Sequence, residues 1–243
     1  MEYRDCPPPV SLDGLVKAFW TLDAGSRADS WIEHQATPDG CIELIARLAG
    51  QSRWTSAQPE RFVVGLSDAP IAFEIGGDAS FAAIRLWPWT WRALSGTGTG
   101  QLFGRWAPVE DPRLVRLLDF ARDPDSASAA LLEMLGAQAA PLQARARAIL
   151  HSHSVSDVRR RMGLSPRGLQ RWFAEHVGVP PRSYLRLLRF QQAFEDLPSA
   201  EVLAHHAADH GFADQAHMAR EFRRLAGQAA GRAKARSRGP FIS

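Results

Sequence analysis

One local pattern occurs twice in the C-terminal part of the 243-residue chain, and it restricts the possible fold more than any other feature. The copies run from Gly163 to Phe173 and, 48 residues further on, from Gly211 to Phe222. In each copy a short helical segment is followed by a glycine turn, a polar residue that can cap a helix, and a second amphipathic helix. This order is typical of a helix-turn-helix, so we predict two such units, joined by a longer helix over residues 181–197.

The charge of the chain is divided between its two halves. Residues 1–144 carry 12 Lys/Arg and 18 Asp/Glu, a net charge of −6, whereas residues 145–243 carry 17 Lys/Arg and 8 Asp/Glu, a net charge of +9. A basic domain attracts a polyanion, because each phosphate that it neutralises releases condensed counterions. The division therefore favours double-stranded DNA as the partner of the repeat, although enrichment in arginine is equally typical of a GC-rich genome.

Residues near the start of each second helix are the candidates for reading DNA. In a helix-turn-helix the second helix enters the major groove, and its first turns meet the base edges. Ser165 and Asp214 are predicted to cap these helices, and arginine and glutamine beyond the caps can pair with guanine and adenine. The predicted DNA-binding residues are Arg167, Gln170 and Arg171 in the first copy and Gln215, Ala216, His217 and Arg220 in the second. An ordinary helical bundle with a solvated arginine face is the alternative.

These motifs resemble the AraC/XylS family of bacterial transcription regulators over residues 150–232. The resemblance rests on Gly163-Leu-Ser-Pro, Leu169-Gln-Arg-Trp-Phe, Gly178-Val-Pro-Pro-Arg-Ser-Tyr-Leu, Arg189 and Gly211-Phe-Ala-Asp-Gln-Ala-His-Met-Ala-Arg-Glu-Phe. It implies two helix-turn-helix subdomains with both recognition helices on one side of the DNA. It also places six of the seven predicted residues at base-reading positions, with Gln215 beside them.

The chain departs from the family pattern at three places. Arg159 stands where the family has a small alanine between two packed helices, and His206 occupies a usually apolar position. The residues after Gly227 lack the proline and the aromatic residue that the family has there. A buried arginine is costly unless its head reaches water. Because the second unit lacks the closing proline and aromatic residue, we expect the first unit to dominate DNA reading and the second to contribute less.

The first 107 residues follow a different pattern. Short apolar runs are separated by turns such as Pro38-Asp-Gly, and six of the eight tryptophans lie at positions 20–91. This pattern predicts a small antiparallel barrel or sandwich, with a helix over residues 41–48 as a local alternative. The segment Pro38-Asp-Gly-Cys-Ile-Glu-Leu-Ile resembles an element of the cupin-like sensor domains that precede AraC-type modules.

The predicted fold class is α+β, with four segments in chain order. They are a β-rich, cupin-like sensor domain (1–107), a helical linker (108–150), the double helix-turn-helix domain (151–232) and a basic tail (233–243). The linker is predicted from the helical spacing of its leucines after Pro112.

Candidate effector-binding residues in the sensor domain are polar side chains and tryptophans. His34, Asp39 and Glu43 are candidates for the polar contacts of a ligand pocket. Trp20, Trp31 and Trp87 are candidates for its apolar walls. The alternative is that Asp39 is only a turn residue and that the tryptophans fill the core.

The sequence gives no support for a catalytic or metal site, and no cofactor is expected. His34 is the only histidine before residue 150, whereas cupin enzymes need a histidine cluster with a glutamate. His206 and His210 share a helical face but have no evident third ligand, and Cys6 and Cys41 form neither a disulfide framework nor an activated thiolate. With no apolar run of 18 residues and no signal-peptide pattern, a cytoplasmic location without a membrane partner is expected.

The predicted function is a sequence-specific transcription regulator, not an enzyme, controlled by a small-molecule effector. The effector would change the presentation of the recognition helices, with the linker as the candidate route. RNA polymerase is a further candidate partner, and the sequence leaves open activation or repression and monomer or homodimer. Two alternatives remain: a regulator whose N-terminal domain binds a protein partner, and a small-molecule binding protein with a degenerate DNA-binding module.

Overall fold

The computed structural model describes residues 1–200, 202–228, 230, 237–238 and 241–242 of the chain. Its N-terminal part consists mainly of short strands, as the aromatic and β-branched runs predict. The elements of this part are β1 (Glu2–Cys6), β2 (Val16–Asp23), β3 (Arg27–Ala36), β4 (Ile42–Ala49), β5 (Ser52–Trp54), β6 (Ser56–Ala57), β7 (Arg61–Val64), β8 (Ile71–Gly77), β9 (Ser80–Leu86), α1 (Pro88–Ser95) and β10 (Trp106–Pro108). The run at 42–49 is a strand, so the helical alternative for 41–48 is wrong.

The remainder of the described chain is almost entirely helical. Its elements are α2 (Pro112–Asp119), α3 (Pro124–Leu135), α4 (Ala139–Leu150), α5 (Val155–Met162), α6 (Pro166–His176), α7 (Pro181–Glu195), α8 (Leu203–Asp209), α9 (Gln215–Ala226), β11 (Ser237–Arg238) and β12 (Phe241–Ile242). The predicted α+β class is confirmed. Of the predicted tail 233–243, only β11 and β12 are described, and β12 pairs with β3.

The strands form two antiparallel sheets, which do not close into a complete barrel within the described part of the chain. The first sheet has the order β1-β2-β9-β4-β7-β10, and the second has the order β11-β12-β3-β8-β5-β6. In the first sheet β9 lies between β2 and β4, and every one of its residues is buried. A strand buried on both faces must separate two apolar regions.

Strand β9 shows what lies on each face of this sheet. Ala82, Ile84 and Leu86 belong to a large core that continues into the helices, whereas Phe81 and Ala83 belong to a smaller core between the sheets. Successive side chains of a strand point to opposite faces. Arg85 therefore shares the inner face with Phe81 and Ala83, and its 4% exposure makes it a buried charge.

Local signals explain the helices of the first repeat. The Ser154 hydroxyl accepts a hydrogen bond from the Asp157 N–H at the start of α5, and the Ser165 hydroxyl accepts one from Gly168 at the start of α6. Each is an N-cap that satisfies a free backbone donor. Gly163 ends α5 with a φ of 64°, a left-handed conformation that glycine adopts without strain. Pro166 occupies the first turn of α6, where its missing N–H has no cost.

The second repeat is built in the same way, and its unusual residues are accommodated. Asp214 Oδ1 accepts a hydrogen bond from the His217 N–H, which confirms the predicted cap of α9. His206 is buried, and its Nε2 lies 2.8 Å from the Ala193 carbonyl oxygen of α7. Arg159, the odd residue of the first repeat, is exposed. The segment after Gly227 that lacks the family's proline and aromatic residue lies mostly outside the described residues.

The N-terminal β-rich part (residues 1–107, called the sensor part after its predicted role) and the first helix-turn-helix unit share a continuous apolar core around Trp89 of α1. The Trp89 ring is fully buried, and its centroid lies 6.3 Å from that of Trp172 in α6 and 6.2 Å from that of Tyr184 in α7. Its Nε1–H donates a hydrogen bond to the Gly14 carbonyl at 2.7 Å. The aromatic contacts hold the C-terminal half of α6 against the sensor part, which leaves its N-terminal half free for another partner.

Among the described residues, no helix is both long and apolar enough to cross a membrane.

Candidate functional site

The predicted base-reading residues of the first unit form an exposed surface at the start of α6. Arg167, Gln170 and Arg171 are all exposed, whereas Leu169 and Phe173 on the opposite side are buried. Residues three and four apart share one face of a helix, so the three polar side chains project together. The arrangement presents two guanidinium groups and one amide, the groups that pair with guanine and adenine in the major groove.

The second unit presents a smaller polar surface. Gln215, Ala216 and Arg220 are exposed at the start of α9, as expected. His217 is half-buried, and its Nδ1 accepts a hydrogen bond from the Ala213 N–H at 3.2 Å. Because that nitrogen is engaged by the turn, only the other edge of the ring can reach DNA.

A cavity lies between the two sheets of the sensor part. Its empty space is about 920 Å³, part of which is open to solvent. Both sheets and the loops after β3 and β7 contribute to its walls, which are mostly aromatic and aliphatic. The lining includes Trp20, Leu22, Ile45, Trp54, Phe62, Val64, Ile71, Phe73, Ile75 and Phe81. An apolar cavity with a few polar groups is the usual form of a small-molecule site.

The charged side chains of the cavity form one cluster. Glu43 and Arg85 are directly opposite in the register of β4 and β9, and Arg85 Nε lies 2.5 Å from Glu43 Oε1 and 2.9 Å from Asp39 Oδ2. The other Glu43 oxygen accepts a hydrogen bond from Trp20 Nε1–H at 2.6 Å. Asp39 Oδ1 accepts one from the Cys41 N–H, so Asp39 both stabilises the turn and lines the cavity.

Burial controls the protonation of this cluster. It raises the pKa of Glu43 to about 7, even though the Arg85 guanidinium opposes the shift. Burial also acts to lower the pKa of Arg85, but the two carboxylates outweigh it and hold that pKa well above its usual range. Burial raises the pKa of the Cys41 thiol, so this cysteine is a protonated wall residue rather than a nucleophile.

The loop that borders the cavity contacts the helix that joins the two DNA-binding units. Gly40 lies between the lining residues Asp39 and Cys41, and its carbonyl accepts a hydrogen bond from the buried Tyr184 hydroxyl of α7 at 2.9 Å. At the other end of α7, Glu195 pairs with Lys17 of β2 at 2.7 Å. The cavity border and α7 are therefore in direct contact, and this contact does not involve the linker at 108–150.

The structure brings together three of the six candidate effector-site residues. Trp20, Asp39 and Glu43 line the cavity. His34 is buried against the ring of Phe73, and Trp87 stacks on Trp89 in the core shared with the helices, so neither lies on the cavity wall. Trp31 is also absent from the cavity wall, because it is 43% exposed and its ring lies under the Arg53 guanidinium.

Two polar residues of the cavity wall, Arg85 and Ser52, were not among the candidates from the sequence. A signal for Arg85 was present, since it is a single charge within the apolar run Ser80–Leu86. Ser52 is 3% exposed, and its hydroxyl has no hydrogen-bond partner among the described residues. Nothing in its sequence context separates it from an ordinary turn serine.

Comparison with known proteins gives a family match in each half of the chain. Residues 158–236 match a family model described as a helix-turn-helix domain, which is of the AraC type, and residues 4–108 match a domain of unknown function (DUF6597). No curated protein matches the chain in sequence. The helix-turn-helix match confirms the resemblance on which the two-unit prediction rests.

Solved structures of similar fold include ToxT from Vibrio cholerae and the AraC-like transcriptional activator CuxR. Apo ToxT has 9% identity and a TM-score of 0.45, with 92% of this chain and 96% of that chain covered. ToxT with a bound unsaturated fatty acid has 9% identity and a TM-score of 0.44, covering 89% and 92%. CuxR has 14% identity and a TM-score of 0.28, covering 80% and 86%.

Proposed function

We propose that the chain is a DNA-binding transcription regulator whose C-terminal domain is of the AraC type. In this proposal a small molecule in the inter-sheet cavity controls how the two recognition helices engage DNA. In this proposal residues 1–107 sense the effector, residues 108–150 connect the domains and residues 151–232 bind DNA. Arg167, Gln170 and Arg171 read bases as the main contact, and Gln215, Ala216, His217 and Arg220 assist.

The exposure of the α6 surface supports the DNA-reading part of the proposal. The groups needed for base contacts lie at the N-terminal end of α6, while its C-terminal half is held by Trp89 and by the ion pair between Arg92 and Glu175 at 3.1 Å. A recognition helix fixed at one end keeps its reading residues in place, which reduces the ordering cost of binding. The α9 unit is attached through Arg224, which lies 3.4 Å from Asp68.

The Tyr184–Gly40 hydrogen bond is the observation that carries the effector part of the proposal. It connects the cavity border to α7, and α7 packs on both recognition helices through Phe173 and Phe222. A ligand changes an equilibrium only by binding one state better than another. A ligand that contacts Asp39 or Cys41 would favour one position of Gly40 over another. Helix α7 would then move with Gly40, because the Tyr184 hydroxyl is bonded to the Gly40 carbonyl.

We expect Tyr184→Phe to weaken the coupling between ligand and DNA while the ring keeps its packing. The operator is selected with full-length protein from random-sequence DNA, and a stabilising compound is found by a thermal-shift screen. In the wild type that compound should change the Kd for the operator by at least about 5-fold, the lower end of common allosteric effects. In Tyr184→Phe it should still bind but change the Kd much less, as measured by fluorescence anisotropy.

Ser128→Ala is the control, because the Ser128 hydroxyl also donates to a backbone carbonyl, that of Pro124, but within α3 and away from the cavity wall and α7. This variant should retain the full effect of the compound on operator binding. If Tyr184→Phe also retains it, the hydrogen bond does not transmit the effect. If selection enriches no DNA sequence, the base-reading assignment is wrong.

A further inference from the structure

The chemistry of the cavity wall identifies the class of ligand, given the effector-binding function proposed above. We propose that the ligand of the inter-sheet cavity is an elongated apolar molecule with a protonated amine at the end nearest Glu43. The proposal depends on the charge balance of the wall, on the engagement of Arg85 and on a buried hydroxyl at the far end.

The charge balance of the wall favours a cation. Among the described residues that line the cavity, the charged ones are Asp39, Glu43 and Arg85, which leave a net charge of −1 once Glu43, with its pKa of about 7, is ionised. In an apolar surrounding of low dielectric, an uncompensated charge is costly until an opposite charge pairs with it. An ammonium group beside the two carboxylates would supply that charge.

The hydrogen-bonding capacity of the cluster also favours a ligand that donates hydrogen bonds. Arg85 is already engaged by Glu43 and Asp39, and its Nη1 lies 3.6 Å from Asp5 Oδ2. The carboxylates, in contrast, keep open acceptor positions, because each can accept about four hydrogen bonds. Two contacts to Glu43 and two to Asp39 are formed in the structure. A ligand that donates hydrogen bonds is thus accommodated, whereas a ligand carboxylate would compete for an occupied guanidinium.

The other end of the cavity contains one more group that a ligand can use. Ser52 follows the end of β4, whereas Glu43 lies at its beginning, so the two residues are near opposite ends of the cavity. The Ser52 hydroxyl is buried without a partner among the described residues, a condition that costs free energy unless something pairs with it. Most of the remaining wall is apolar, and it includes Ile45 of β4 and Phe62 of β7, which are directly opposite in the strand register. This layout fits an apolar body with a weakly polar group at its far end.

The test compares ligands that differ only in the head group. Isothermal titration calorimetry on the full-length protein would use 4-phenylbutylamine, 4-phenylbutanol and 4-phenylbutyrate as probes. The amine should bind at least about 10-fold more tightly than the carboxylate, the difference expected when a charge-assisted hydrogen bond replaces a repulsion. Equal binding of the three, binding of none, or preference for the carboxylate would overturn the proposal.

Two variants locate the head group and a third serves as the control. Glu43→Gln keeps an acceptor for Trp20 but removes the negative charge, so the preference for the amine over the alcohol should disappear. Asp39→Asn is the second variant if Glu43→Gln does not fold. Glu74→Gln removes a carboxylate that pairs with Arg53 outside this cavity and should leave the preference unchanged. An unchanged preference in Glu43→Gln or in Asp39→Asn, or the same loss in Glu74→Gln, contradicts the assignment.

A third comparison tests the far end. Adding a para-hydroxyl to the phenyl ring of the amine should increase affinity about 3-fold or more in the wild type and not in Ser52→Ala. The same gain in both proteins would separate Ser52 from the ligand. If the carboxylate probe binds best and also changes the Kd for the operator, the proposed ligand class is wrong but effector control of DNA binding stands. If the amine binds selectively without changing the Kd for the operator, the ligand class stands but effector control is wrong.

Discussion

Replacing Arg85 with methionine should lower the free energy of unfolding by about 3–5 kcal/mol, the usual cost of removing one partner from a buried ion pair. Methionine fills most of the space of the arginine side chain, so the loss comes from the two carboxylates left without a cation. For a chain of this size, that loss corresponds to a fall in Tm of about 6–20 °C. Thermal unfolding of the full-length protein followed by circular dichroism would measure it.

The loss should also depend on pH. The pKa of Glu43 is about 7 in the folded protein, above its ordinary value of 4.5, so the stability that Glu43 contributes falls as pH rises between those values. Without Arg85 the folded-state pKa of Glu43 rises further, so the pH range over which the stability falls extends to higher pH. The difference between wild type and Arg85→Met should therefore be larger at pH 8.5 than at pH 6.

Arg53→Met is the matched control for this experiment. Arg53 also pairs with a glutamate, but the pair is on the solvent-exposed part of the second sheet and should matter little to stability. Equal melting of the two variants would show that the Arg85 cluster does not hold the sheet together.

The sequence predicted the helix-turn-helix units well because their signals are local. Helices α5 (Val155–Met162) and α6 (Pro166–His176) lie on either side of the Gly163 turn as the repeat predicts, since their caps and the turn glycine lie within a few positions of each helix. The helix α1 was missed, although Pro88 is a usual start signal, because its tryptophans also fit the surrounding strand pattern.

The cavity was predicted less well because its members meet through strand register. Asp39 and Glu43 could be proposed from one short motif, but the pairing of Glu43 with Arg85 depends on how β4 aligns with β9. Likewise, Trp20 lies on the inner face of its sheet, and Trp87 lies in the core shared with the helices. A shift of one residue in a strand reverses the face of a side chain, and composition does not specify that alignment.

The direct contact between the cavity border and α7 could not be derived from the sequence either. Tyr184 and Gly40 are 144 positions apart, and their hydrogen bond requires the sensor part and the helical domain to share one core. The family resemblance predicted each domain but not the surface between them. The route proposed from the sequence, through residues 108–150, followed chain order, whereas the hydrogen bond connects elements that are close only in space.

Arg171→Ala should reduce affinity for the selected operator by about 5- to 150-fold and leave binding to random DNA nearly unchanged. A bidentate arginine–guanine contact contributes about 1–3 kcal/mol of base discrimination, whereas a phosphate contact contributes to all sequences alike. Arg171 is exposed, so the substitution should not disturb the fold. Anisotropy titrations with operator and random duplexes at several salt concentrations would separate the two kinds of contact.

Arg116→Ala and Arg220→Ala complete this experiment. Arg116 is an exposed arginine of α2, so its substitution removes the same charge from outside the reading helices and should change neither affinity. Arg220→Ala should have a smaller effect than Arg171→Ala, because the second unit is expected to contribute less to recognition. Equal losses on operator and random DNA would make Arg171 a phosphate contact, and a larger loss in Arg220→Ala would make α9 the main reading helix.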